Sequence, residues 1–289
     1  TTMTLTFARN SKRAFMFPGQ GAQAVGMGLE LYTGSNASKE VFEMVDEALG
    51  RPLSKIMFEG PEEDLRETKN AQPGIMAVSL ACIEAMKDAL GDEVGLALDV
   101  GPGVTVPDAL KLAKAVEHMN IMWLEDMITG DYTPYVSADL YSKVTPYTTT
   151  PIHTGEQIYL RQNFKELFEK NAVNVIGPDP ADVGGIAEMK WIAEYADLHG
   201  VLIAPHGTMD GLIGLAAHVH LAATLPQNYI AFEYPTGNPD WWYEILDGLP
   251  NPIVKDSYIE VWDAPGLGIT FKRDIAEKHL REEDKGFFD

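Results

Sequence analysis

The 289-residue chain predicts an α/β protein: an incomplete (β/α)8 TIM-type barrel of six recognisable βα units behind an N-terminal α/β segment. Three observations carry this. From about residue 91, short apolar runs alternate with helical patterns at a roughly constant period, which implies right-handed βαβ units and a parallel sheet. The runs are nearly continuous in apolar residues, as strands buried on both faces must be. No Gly-x-Gly-x-x-Gly turn follows any of them, which favours a barrel over a dinucleotide fold. The predicted strands cover 96–100, 121–125, 151–155, 173–178, 201–205 and 229–233.

Taken in order, Thr4–Ala8 alternates as a strand does, and Ala14–Phe17 is a second compact strand that runs into the turn Pro18-Gly19-Gln20-Gly21. Ser38 is the expected N-cap of a helix with apolar face Val41, Phe42, Val45 and Leu49, stopped by Gly50. Pro61 with Glu62, Glu63 and Asp64 opens another helix, the acids complementing its dipole. Gln72-Pro73 opens a longer one, Ile75 to Leu90. Among the later units, one helix carries Leu112, Val116 and Met119, the next Phe164, Leu167 and Phe168, a third Ile186, Met189, Ile192 and Ala196, and a fourth spans about 211–224.

Composition narrows the function classes. A formal net charge of −21 argues against nucleic acid and anionic membrane as partners, since both need basic patches. The single cysteine, Cys82, excludes an intramolecular disulfide and a thiolate metal cluster, and a reducing cytoplasm is the expected compartment. No apolar run approaches the length of a membrane span. Arg9, Lys12 and Arg13 mark an acid-free start that reads as a tail or an added strand.

The strand ends carry the chemistry. Asp99, Glu125 and Glu156 each follow a short apolar run, at the end of the strand where α/β folds place ligands. Three such acids suit one hard cation, Mg²⁺, which takes few carboxylates and keeps some waters; taken singly, each acid reads as an N-cap or a solvated side chain. The later strands end in Asp179, His206 and Glu233. An aspartate on the neighbouring strand end orients a histidine and raises its basicity, so His206 is the candidate base. His153, His199, His218 and His220 have no such company and are expected on helix faces or the surface.

Two resemblances follow from motifs. Phe17-Pro18-Gly19-Gln20-Gly21-Ala22-Gln23, Glu59-Gly60-Pro61-Glu62-Glu63-Asp64-Leu65 and Ala71-Gln72-Pro73 resemble, in order and spacing, the start of a malonyl-CoA:acyl-carrier-protein transacylase over about residues 13–87. That resemblance implies an oxyanion loop at Gln20, with Gln72 lining the same site. The family's Gly-His-Ser-x-Gly elbow is absent from this sequence, so the segment is expected to be structural.

From about residue 89 the chain resembles the mandelate racemase/muconate lactonizing branch of the enolase superfamily. The matching pieces are Leu98-Asp99, Trp123-Leu124-Glu125-Asp126, Thr154-Gly155-Glu156-Gln157, Asp179-Pro180-Ala181-Asp182-Val183-Gly184-Gly185-Ile186, Ala204-Pro205-His206-Gly207, Phe232-Glu233-Tyr234 and Pro265-Gly266-Leu267-Gly268. The resemblance implies Mg²⁺ held by Asp99, Glu125 and Glu156 and bound to a substrate carboxylate. It implies that His206, paired with Asp179, moves the α-proton, and that Glu233 hydrogen-bonds the enediolate. It also implies a small-molecule carboxylate substrate; an oligomer of identical chains is expected separately, because six strands leave an open parallel edge that invites association.

The chain departs from that family in having no Lys-x-Lys base ahead of Asp99, and the capping domain and first two barrel strands are expected to be missing. Strands 4–8 and 15–17 are the candidates to fill the gap. The expected organisation is therefore a transacylase-like segment, 1–88, and a barrel domain with a C-terminal tail, 89–289. Three functions stay open at this stage: a sugar-acid dehydratase or isomerase, an acyltransferase fragment, and an inactive fusion that only binds metal.

Overall fold

The computed structural model describes residues 23–91, 95–101, 103–128, 137–207, 211–234, 239–256 and 258–289. The predicted strands at 4–8 and 14–17, and Gln20 with its loop, lie outside these residues. The chain forms two compact units, Thr1–Val100 and Gly101–Asp289.

In the first unit the described helices are α1 (Leu29–Gly34), α2 (Asn36–Leu49), α3 (Leu53–Glu59), α4 (Glu62–Arg66) and α5 (Thr68–Leu90), followed by strand β1 (Ala97–Asp99). The N-cap of α2 is Ser35, whose hydroxyl accepts the Ser38 N–H at 3.2 Å, and not Ser38 as the sequence suggested. Both serines offer the same capping chemistry, and the earlier one adds a turn. Ser38 is instead buried and donates to the Ala81 carbonyl at 2.7 Å, which ties α2 to α5. Gly50 ends α2 in the left-handed conformation, φ 63°. Phe42, Leu53, Met57, Leu65, Ala77 and Ala81 form the core of this helical layer.

Helix α5 begins seven residues before Ile75 and carries Pro73 inside it. A proline there removes the N–H that would bond the Lys69 carbonyl four residues back. The Arg51 guanidinium supplies the replacement: Nη2 donates to Lys69 O at 2.7 Å, and Nη1 donates to the Asn70 side chain. Gln72 lies exposed on this helix.

In the second unit the order is α6 (Val106–Ala115), β2 (Trp123–Glu125), α7 (Ala138–Tyr141), β3 (Ile152–Thr154), α8 (Lys165–Glu169), β4 (Val175–Ile176), α9 (Pro180–Val183), α10 (Ile186–Leu198), β5 (Leu202–Ile203) and α11 (Gly211–Ala222). Strands β2 to β5 join in one parallel sheet in the order β2-β3-β4-β5. Its parallel register runs Leu124↔Ile152, Thr154↔Ile176 and Ile176↔Ile203. The predicted sixth strand, 229–233, is reduced to one parallel bridge, Ile203↔Tyr229. It still runs beside β5, since Ile230 N–H bonds Ile203 O and Glu233 N–H bonds Pro205 O, each at 2.9 Å.

Leu124, Ile152, Ile176 and Ile203 are fully buried, and Phe164, Leu167, Ile192 and Ala196 from the intervening segments are buried with them. Asn228 sits in the same interior and donates to the Ala193 and Val201 carbonyls, locking the segment after α11 onto α10 and β5. A second cluster of Leu212, Leu215, Val219, Leu246 and Ile253 joins α11 to the C-terminal part. That part holds α12 (Trp241–Glu244), β6 (Leu246–Asp247), β7 (Val254–Lys255), β8 (Tyr258–Ile259), β9 (Thr270–Phe271) and α13 (Arg273–Ala276). Strands β6 and β9 pair antiparallel, as do β7 and β8. No helix among the described residues is long and apolar enough to cross a membrane.

Candidate metal and acid–base site

The C-terminal ends of β2 to β5 gather the candidate residues of the second unit. Glu125 is the last residue of β2, and Asp126 follows it in a left-handed turn, φ 46°, a conformation aspartate tolerates better than most residues. The Asp126 N–H bonds His153 O at 3.1 Å, and its carboxylate accepts a hydrogen bond from the Thr154 hydroxyl at the end of β3. Gly155 then takes φ 138°, and a side chain there would crowd Phe164 and the Gly177 backbone; this turn delivers Glu156.

Glu125, Asp126 and Glu156 each present one carboxylate oxygen within 4.8 Å of the others. Asp126 is buried and the other two are half-buried. Three like charges so close repel unless a cation or protons neutralise them, and hard oxygen donors of this kind suit Mg²⁺. The donor set therefore fits the expected ion. Asp99 ends β1 in the first unit and is half-buried; its part in ion binding belongs to the proposal below.

His206 forms the other half of the site. Its Nδ1 lies 2.9 Å from Asp179 Oδ2, while Asp179 Oδ1 accepts the Ala181 N–H and so caps α9. The carboxylate is thereby doubly anchored and fixes the imidazole. The other nitrogen, Nε2, lies 3.3 Å from Glu156 and 3.5 Å from Glu233. Burial works against a charged imidazole here. The Asp179 hydrogen bond and the charges of Glu233, Asp179 and Glu125 outweigh it and raise the pKa to about 9.

His153 was expected on a helix face or the surface and is neither. It is the middle residue of β3, 2% exposed, because a parallel strand covered on both faces leaves no solvent side. Its ring stacks on Trp123 at 5.0 Å, its Nδ1 lies 3.5 Å from Glu125 Oε1, and burial pushes its pKa down to about 3. His218 is also buried, on α11 against Phe232 and Gly207, so it sits on a helix but not at the surface. His199 caps α10 half-buried, and His220 lies half-buried on α11 beside Trp262.

Sequence reasoning gave no role to Asp126, Trp123 or His153. The doubled acid Glu125-Asp126 at a strand end was the available signal for the first. Nothing in the pattern marked the other two.

A row of carboxylates and one histidine at the C-terminal ends of successive parallel strands defines an α/β protein of the enolase kind. The chain belongs to the enolase C-terminal domain-like family, whose match covers residues 54–275. That match begins at residue 54, so the enolase family already covers part of the stretch expected to be transacylase-like, 13–87.

Among curated relatives, a D-xylonate dehydratase of Haloferax volcanii is 33% identical over 205 residues, 71% of this chain and 48% of the relative. An arabinonate dehydratase of Saccharolobus solfataricus is 28% identical over 203 residues, 68% of this chain and 50% of the relative. The chain thus spans about half the length of these relatives. A mandelate racemase/muconate lactonizing enzyme-like protein of Rubrobacter xylanophilus aligns with 96% of this chain and 70% of its own, at 25% identity and a TM-score of 0.65. An enolase of Pantoea ananatis with bound D-gluconate and Mg aligns at 31% identity and a TM-score of 0.61, covering 69% of this chain and 46% of its own.

Proposed function

We propose that this chain carries out Mg²⁺-dependent removal of the proton next to the carboxylate of a sugar acid, followed by loss of the neighbouring hydroxyl as water. Asp99, Glu125 and Glu156 are the ion's ligands in this reading, with Asp126 added by its position in the acid cluster. When bound, the ion lowers the cost of placing negative charge on the substrate carboxylate as its α-proton leaves.

His206 Nε2 accepts that proton, held in orientation by Asp179 at Nδ1. The same imidazolium then returns the proton to the departing hydroxyl, so water leaves and an enol remains, which becomes the 2-keto acid. One base serves both transfers, which suits dehydration better than a two-base racemisation. Glu233, whose carboxyl group lies 3.5 Å from Nε2, hydrogen-bonds the enediolate as it forms.

The observation that carries the reading is the double attachment of His206, through Nδ1 to Asp179 and through Nε2 to the acid cluster at Glu156. The dehydratase names of the relatives and the gluconate and Mg of the Pantoea structure support the substrate class. The transacylase-like stretch has no part in the reaction, because the sequence lacks the nucleophile elbow.

The test is incubation of the purified chain with Mg²⁺ and a panel of five- and six-carbon aldonic acids. Formation of a 2-keto-3-deoxy acid that stops with EDTA supports the proposal. Metal binding without product from any of them would favour the reading of a chain that holds the ion and turns nothing over.

A further inference from the structure

Trp123 and Glu125 are two residues apart on β2 and therefore point to one face. The indole Nε1 donates to Glu125 Oε2 at 2.8 Å. His153 is the register partner of Glu125 on β3 and stacks on the indole, with 5.0 Å between centroids and 16° between planes. Its Nδ1 approaches the other carboxylate oxygen, Oε1, to 3.5 Å.

Neither ring has another place to go. Trp123 is 9% and His153 2% exposed. Gly177, the residue after β4, also packs against the imidazole: even a methyl group there would come within 2.4 Å of Cε1 and Nε2. Three neighbouring strand ends thus clamp the imidazole and the indole onto a single carboxylate.

We propose that Trp123 and His153 are positioning residues for Glu125, holding its carboxylate in one rotamer so that a divalent cation meets it already oriented. This rests on the metal reading above and adds two residues to it. An unsupported glutamate samples several rotamers and loses that freedom on binding an ion. One tied to a packed indole has already lost it on folding. Partners that orient a ligating side chain contribute about 10–100-fold to metal affinity. A purely space-filling role for Trp123 makes a different prediction, because Trp123→Phe keeps an aromatic ring against His153 while deleting the donor, and a loss of packing alone lowers stability without weakening Mg²⁺ binding.

The test is titration of the full chain with Mg²⁺ alone, followed by calorimetry and by the indole N–H signals in NMR. The chain has five tryptophans, and the Trp123 signal is the one lost in Trp123→Phe. The expected result is that this signal moves over the same Mg²⁺ range as the binding heat. Trp123→Phe and His153→Ala should each bind Mg²⁺ about 10–100-fold more weakly, with the near-ultraviolet circular dichroism of a folded chain.

The inference is overturned if Glu125→Gln abolishes binding while Trp123→Phe binds as the parent does and the Trp123 signal stays still. A parent that binds no Mg²⁺ overturns the metal reading itself, and this inference with it. If Trp123→Phe does not fold, His153→Ala decides: Mg²⁺ binding about 10–100-fold weaker supports the inference, and binding as tight as the parent's overturns it.

Discussion

Gly177→Ala is a one-carbon change whose effect can be worked from the packing around His153. The new Cβ would lie 2.4 Å from both Cε1 and Nε2 of the imidazole and 3.1 Å from the Ala204 carbonyl oxygen. Comfortable carbon contacts fall at about 3.5–4.0 Å, so the ring must retreat by more than about 1 Å. It is stacked on Trp123 and 2% exposed, so retreat means moving Trp123, and with it Glu125. Overpacking of this kind costs about 1–3 kcal/mol.

All five tryptophans, at 123, 191, 241, 242 and 262, lie in the second unit. The urea midpoint read by tryptophan fluorescence therefore reports on that unit. The account predicts a lower midpoint for Gly177→Ala, and a much smaller loss when the substitution is made on top of His153→Ala, where the methyl group enters the space the ring left. An equal loss in both backgrounds would refute the reasoning, because the cost would then have nothing to do with the imidazole.

Two further outcomes are expected. Arg51→Met removes the donor that serves the Lys69 carbonyl above Pro73 and should cost the helical unit about 1–2 kcal/mol, read by far-ultraviolet circular dichroism; an unchanged midpoint would mean that water satisfies that carbonyl equally well. In the metal-free chain His206 should titrate near 9, and Asp179→Asn should bring it back toward the ordinary histidine value of about 6.5. Because the folded-state pKa is the raised one, the stability His206 contributes is complete below about 6.5 and is lost as pH rises through about 9. Imidazole NMR of the parent and of Asp179→Asn, both without metal, checks the shift and its cause.

Much of the site could be read before the structure because buried parallel strands announce themselves. Leu98-Asp99, Leu124-Glu125 and Ile203-Ala204-Pro205-His206 are apolar runs that stop at a group too polar for a core; Glu125 ends β2, while Asp179 and His206 follow β4 and β5 by three residues. His153 was illegible for the same reason. Alternation places it opposite Ile152, and only the cover on both faces of the sheet turns that alternate position into a buried one.

The start of α5 was misjudged because proline reads as a boundary, and the donor that rescues it comes from Arg51, some twenty residues away in sequence. Ser35 and Ser38 offer identical local chemistry, and only the contact of Ser38 with Ala81 separates their roles. The sixth strand fell short of a ladder: among the described residues, 229–233 meets β5 through one bridge at Tyr229, with Ile230 and Glu233 N–H bonding Ile203 and Pro205 carbonyls.

The central claim is that His206 removes the α-proton of an aldonic acid while Mg²⁺ is held by the carboxylates beside it. Exchange of that proton in D2O, followed by NMR for the parent and for His206→Asn with and without Mg²⁺, tests this most directly. The account predicts exchange in the parent that requires Mg²⁺ and is lost in His206→Asn while Mg²⁺ still binds. Exchange that survives in His206→Asn, or that proceeds in the parent without Mg²⁺, would contradict it.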